Sequence, residues 1–174
     1  MLSLFPYRNG VLQIRVNDSW LSHAEAHAAR LAGYKGLLKP SSWDVSQRLG
    51  EIAVRFLLHK LGATSKIQGL EIGKRPAAPT TKSDLVVGVS CAPANERFNM
   101  GTKAKLSVFK KFAGEVSLHV AALYDPPFVD MIGWADAQTV LTQVADQSGR
   151  VSIPASELRT MQELMDILEQ KKGK

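Results

Sequence analysis

Between Val45 and Leu57 the apolar residues fall at Val45, Leu49, Ile52, Ala53, Phe56 and Leu57, one stripe at helical spacing. The pattern predicts an amphipathic helix, capped by Ser42 or Asp44, that runs to about Leu61 and stops at Gly62. Upstream, Ser22-His23-Ala24-Glu25 has capping-box form and predicts a helix from there to near Gly33. Val11 to Val16 alternates in part, behind an Asn9-Gly10 turn, and reads as extended. Past Gly62 the period changes. Lys66–Ile72, Asp84–Val89, Phe98 to about Phe109, Glu115–Tyr124 and Val129–Trp134 read as strands. They are separated by a proline-rich loop at 76–81, a turn from Cys91 to Glu96, Ala113-Gly114, and Asp125-Pro126-Pro127. Asp136 caps a short helix to Val144, and a last amphipathic helix starts near Pro154 with Leu158, Met161, Leu164, Met165 and Leu168. Helices, then strands, then helices predict an α+β fold, a mixed sheet of α/β type flanked by helices. Residues 1–150 make the main domain; residues 151–174 make a C-terminal helix and basic tail packed on it.

The 174 residues, 45% hydrophobic and 22% charged, suffice for one globular domain with its own core. A single cysteine, Cys91, excludes an intramolecular disulfide framework and a four-cysteine zinc site, and fits a cytoplasmic setting. The first residues lack the basic and apolar regions of a signal peptide, and no run of apolar residues is long enough to span a membrane, so no membrane association is expected. The net charge of +6 is more informative. Part of it sits in the tail Lys171-Lys172-Gly173-Lys174. The rest gathers around the Asp84 strand, at Lys74, Arg75 and Lys82 before it and Lys103, Lys105, Lys110 and Lys111 after it. Such a cluster suits a polyanionic partner.

Candidate chemistry lies in the same stretch. Glu51 is on the flank of the helix stripe, Asp84 opens an apolar strand, and Asn99, Gly101 and Lys103 share one face of the next, with which the Asp84 strand is expected to pair. Carboxylates hold a hard cation such as Mg²⁺, which activates a water, and a lysine offsets charge developing on a phosphate. Taken alone, Glu51 also reads as a solvent-facing residue paired with Arg48 or Arg55.

Gly50-Glu51-Ile52-Ala53-Val54 followed by Asp84-Leu85-Val86-Val87 resembles the PD-(D/E)xK nuclease superfamily. The later Ala121-Ala122-Leu123-Tyr124-Asp125-Pro126-Pro127 and Ile132-Gly133-Trp134-Ala135 are similar to endings of phage-type members. The resemblance, from about Glu51 to Ala135, implies a restriction-endonuclease-like core and metal-dependent cleavage of DNA. Mg²⁺ or Mn²⁺ would be held by Glu51 and Asp84, with Lys103 stabilising the transition state and Asn99 assisting. Lys74, Arg75, Lys105, Lys110 and Lys111 would contact phosphates. The chain departs from the family at the third element. Where a Glu-x-Lys precedes Thr, it has Asn99-Met100-Gly101-Thr102, with Lys103 two positions beyond Gly101 and Glu96 as a displaced carboxylate. The departure supports a second reading, a non-catalytic nucleic-acid-binding protein on the same scaffold. A third is an assembly protein, a homodimer through the last helix, set against packing of that helix within its own chain.

Weaker signals add little. His23 and His27 stand at i and i+4, but Ala24 occupies the place of the zinc-protease glutamate. Gly73-Lys74 lacks the first glycine and the following Ser or Thr of a phosphate loop. Trp20, Trp43 and Trp134 read as core or helix-start anchors, because no basic residue closely interleaves them.

Overall fold

The computed structural model describes residues 5–6, 11–36, 38–63, 65–70, 85–94 and 105–172. In chain order the elements are β1 (Phe5–Pro6), β2 (Leu12–Arg15), α1 (Asp18–Tyr34), α2 (Ser42–Lys60), β3 (Ser65–Ile67), β4 (Leu85–Pro93) and β5 (Lys105–Phe109). A 3₁₀ segment over Lys110–Glu115 leads to β6 (Leu118–Asp125), β7 (Phe128–Asp136), α3 (Ala137–Leu141), β8 (Arg150–Pro154) and α4 (Met161–Lys172). The fold is α+β. A six-stranded mixed sheet has the order β1-β2-β7-β6-β4-β3, and β5 and β8 form a separate antiparallel pair.

Local chemistry accounts for the helix starts. Asn17 Oδ1 accepts the Trp20 backbone N–H at 2.8 Å and starts α1, so the predicted start at Ser22 lies inside the helix. Ser41 and Asp44 form a reciprocal capping box at the start of α2, one residue ahead of the predicted Ser42. Asp136 Oδ1 accepts from the Thr139 N–H at 2.7 Å and opens α3 as expected, although the helix ends at Leu141, short of Val144.

Three expectations are corrected. β4 does not stop at Val89. Its ladder with β6 runs from Val87 to Pro93, which takes the backbone through the turn expected at Cys91. β4 does not pair with the strand that follows it either. Its neighbours are β3 and β6, both parallel, while β5 pairs with β8. Finally, the chain after Arg150 is first a strand. Val151 and Ile153 point inward, their neighbours are exposed, and α4 begins only at Met161. The expected domain boundary at 150/151 thus falls within β8.

The sheet separates two apolar clusters. On one face Val87, Cys91, Val120, Met131 and Trp134 meet Leu49, Ala53 and Leu57 of α2 and Met161, Leu164 and Leu168 of α4. The apolar side of α4 is therefore spent inside its own chain. On the other face Leu106, Val151 and Ile153 of the β5–β8 pair cover Ala121 and Ala135. A bulge at Ile132, where Ala121 opposes Gly133 and Ala122 opposes Met131, resets the alternation of β7. Trp134 consequently faces the helices and Ala135 faces the small sheet.

Gly50 sets how closely α2 lies on β4. A Cβ there would stand 2.4 Å from Cys91 Cβ and 2.8 Å from its sulfur, so only glycine permits this approach. On α1 the buried residues are Ala24, His27, Ala28 and Ala32, and the three alanines are small side chains that let α1 pack against α2.

Candidate functional site

β3 pairs with Leu85–Val87 of β4. Past that point, among the described residues, the edge of β4 is met by a side chain. Gln47 Nε2 donates to the Val89 carbonyl at 2.7 Å, and Gln47 Oε1 accepts the Cys91 N–H at 2.9 Å. These are the two bonds a neighbouring strand would make. Because a side chain stands where a strand would, the surface opens here into a cleft of about 620 Å³. Its floor is the second half of β4. One wall is the first two turns of α2, with Trp43, Asp44 and Gln47; the other is the β5–β8 pair, with Lys105, Ser107 and Arg150.

The two walls differ in charge. On the α2 side the Asp44 carboxylate is taken up by the cap, accepting from Ser41 N at 2.8 Å and Ser41 Oγ at 2.9 Å. On the β5–β8 side Lys105 and Arg150 are exposed. The Arg150 guanidinium donates to Ser107 Oγ at 3.3 Å and lies 4.1 Å from the Phe109 ring centre. Ser107 N in turn donates to Ser90 Oγ at 3.4 Å, tying β5 to β4. The Lys111 ammonium sits over Phe112 at 4.8 Å and over Phe109 at 5.9 Å, so Arg150 and Lys111 share an aromatic ring. Lys110 opens the same 3₁₀ segment. Lys105, Arg150 and Lys111 thus form a basic strip along the small sheet.

Glu51, one turn after Gln47, is beneath the cleft and is 1% exposed. Oε1 accepts from Gln47 Nε2 at 2.9 Å. Oε2 is 2.6 Å from Arg48 Nη1, a charge contact outside hydrogen-bond alignment. Arg48 Nη1 also donates to the Gly69 carbonyl. Gly69 has φ +95°, and a Cβ there would stand 2.6 Å from Glu51 Oε1. Burial pushes the Glu51 carboxyl up to about 7, against the pull of the Arg48 guanidinium and the Gln47 amide. Of the two sequence readings of Glu51, the pairing with Arg48 is present, but in the interior and not at the solvent face. One oxygen faces a guanidinium and the other an amide N–H, so this arrangement does not fit a bound cation.

The remaining predicted site residues divide. Lys105 lines the cleft, and Lys110 and Lys111 continue from its wall. Asp84, Asn99, Lys103, Lys74 and Arg75 lie outside the described residues, as does the displaced carboxylate Glu96. Among the described residues no three His, Cys, Asp or Glu side chains come together as a metal-binding group. Cys91 is buried, its thiol pushed well up by desolvation. His119 is buried in β6, its Nε2 3.1 Å from the Ala113 carbonyl, and burial lowers its pKa. His27 is also buried and lowered, mainly by desolvation and then by Arg48. The Leu70 backbone lies beside its ring, but neither ring nitrogen makes a hydrogen bond of normal geometry.

Sequence reasoning missed Gln47, Arg150 and Trp43. Gln47 had a signal, since it stands at i−4 from Glu51 on the same helix face. Arg150 was hidden with β8. Trp43 was grouped with Trp20 and Trp134, and those two are the anchors. Trp20 packs on Phe56 with ring centres 5.2 Å apart; Trp134 is buried and donates Nε1–H to the Thr160 carbonyl at 2.9 Å.

Comparison with protein-family models, with curated proteins and with solved structures finds no match. Among the described residues no helix is long and apolar enough to cross a membrane.

Proposed function

We propose that this chain acts on DNA from a restriction-endonuclease-like core, gripping the phosphodiester backbone in the cleft at the edge of β4. The observation that carries this reading is the basic strip of Lys105, Arg150 and Lys111 beside a ligand-sized cleft. Cations held by ring and hydroxyl contacts are partly ordered before a phosphate arrives, which lowers the entropy lost on binding. Contacts of this kind position a nucleic acid without reading its sequence.

Metal-dependent cleavage is the fuller form of the proposal, and it rests on the sequence of Asp84, Asn99 and Lys103. Mg²⁺ or Mn²⁺ would supply an activated water and offset charge on the phosphate. The Arg48–Glu51 pair favours the second reading, a non-catalytic binding protein on the same scaffold, because it withdraws one of the two expected metal ligands.

Labelled DNA titrated at several salt concentrations, together with Mn²⁺-dependent nicking of supercoiled DNA, tests both forms. Binding should fall steeply with salt as counterions are released, and Lys105→Ala and Arg150→Ala should each reduce the slope by about one. No binding at low salt would remove the proposal. Nicking that Asp84→Ala abolishes would establish the enzyme; binding without nicking would leave the binding protein.

A further inference from the structure

Trp43 stands on the first turn of α2 and is 45% exposed. Among the described residues, neither the apolar core nor the cap accounts for it there. Ser41 and Asp44 complete the cap, and the α2 residues that enter the core begin further along. A lone exposed apolar residue is ordinary on a protein surface. This one lines the wall of the cleft whose other side carries Lys105 and Arg150. An indole face and two cations on the walls of one groove match the two halves of a nucleotide, a flat base and a charged phosphate.

We infer that the cleft receives an unpaired nucleotide, with its base stacked on Trp43 and its phosphate held by Lys105 and Arg150, so that the protein prefers single-stranded to duplex nucleic acid. The inference rests on the nucleic-acid reading above and deepens it. The orientation follows from charge. Asp44 beside Trp43 repels a phosphate from the α2 wall, and the cations of β5–β8 draw it to the other. The volume agrees, since about 620 Å³ lies within the ~300–1,000 Å³ of small-ligand clefts. A duplex presents only base edges and phosphates, and its base faces are covered by their neighbours. The indole therefore gains a partner only from a base that is already unstacked or is drawn out of the stack.

Intrinsic tryptophan fluorescence tests this in the full chain, because Trp20 is packed on Phe56 and Trp134 is buried. The probes are an oligothymidylate of about 12 nucleotides, long enough for a typical single-strand site, and a duplex of the same length. The oligothymidylate should quench the fluorescence and bind roughly tenfold more tightly than the duplex. Trp43→Ala should weaken that binding about tenfold and remove the preference; Trp43→Phe, which keeps an aromatic face, should retain most of both while losing the quench. An oligouridylate arm reads whether the site separates RNA from DNA. Equal affinity for duplex and single strand, unchanged in Trp43→Ala, would overturn the inference while leaving the nucleic-acid reading in place. Failure of both probes to bind at low salt would remove the two together.

Discussion

Replacing Glu51 with Gln separates a buried structural carboxyl from a metal ligand. The substitution keeps the size of the side chain and an oxygen to accept from Gln47, while it removes the charge and sets an NH2 group in place of the oxygen that faces Arg48. With its ordinary value of 4.5 pushed up to about 7, the carboxyl binds a proton more readily in the folded state than in the unfolded one. Stability therefore falls as pH rises from about 4.5 to about 7, and stays lower above that range. At about 1.4 kcal/mol per pH unit, the native state loses roughly 3 kcal/mol across this window. For a chain of this size that is roughly 6–12 °C in Tm. His27 and His119 work in the opposite direction. Their lowered values mean that the folded state binds fewer protons, so stability rises with pH up to their ordinary value of 6.5. Both proteins share that contribution, and it cancels in a difference. Thermal melts of wild type and Glu51→Gln at intervals between pH 5 and pH 8 should give a Tm difference that moves by most of that amount in favour of the variant. Parallel curves would refute the assigned burial of an ionisable Glu51. The same two proteins titrated with Mn²⁺ should show equal affinity by calorimetry. A Mn²⁺ stabilisation found in wild type and lost in Glu51→Gln would make the carboxylate a ligand after all.

Gly50→Ala places a methyl group 2.4 Å from Cys91 Cβ and should destabilise by about 1–3 kcal/mol, read as a fall in Tm of roughly 2–12 °C; an unchanged Tm would deny the close approach of α2 to β4. Asn99→Glu with Gly101→Lys restores the carboxylate and lysine of the third motif, and should raise Mn²⁺ affinity by calorimetry and create or strengthen nicking of supercoiled DNA. Unchanged Mn²⁺ affinity in the folded double variant would withdraw the alignment of residues 98–103 with that motif.

What could be read from the sequence was local. The stripe from Val45 to Leu57 gave α2, and the polar residues before it gave its cap to within one residue, because a capping bond spans only three positions. Asp136 gave the start of α3 for the same reason. Partner choice between strands was not legible. β4 and β5 are near neighbours in sequence, yet they lie in different sheets, and β5 meets a strand more than 40 residues away. Nothing within either segment encodes that distance. β8 is five residues long, too short for its alternation to compete with the helical spacing of Leu158, Met161, Leu164, Met165 and Leu168 just after it. The candidate site was half legible. Composition and charge pointed to a polyanion and named Lys105, Lys110 and Lys111. The partners of Glu51 were visible in part, since Arg48 and Gln47 are on its own helix, but its burial depends on the turn at Gly69 and on β4, and only tertiary structure supplies those.

The shortness of β3 has a consequence for solubility. A long bare strand edge invites another chain to add itself by backbone hydrogen bonds, a common route to aggregation. On β4 the Gln47 amide occupies the Val89 carbonyl and the Cys91 N–H, and Pro93 further along has no N–H to offer. Among the described residues, a single side chain therefore closes this part of the edge to strands. Shortening that side chain would leave both groups unpaired at the mouth of the cleft, where an extended segment from a second molecule would meet two open backbone partners. The cleft would then seed self-association, and Gln47 is the described residue that guards against it.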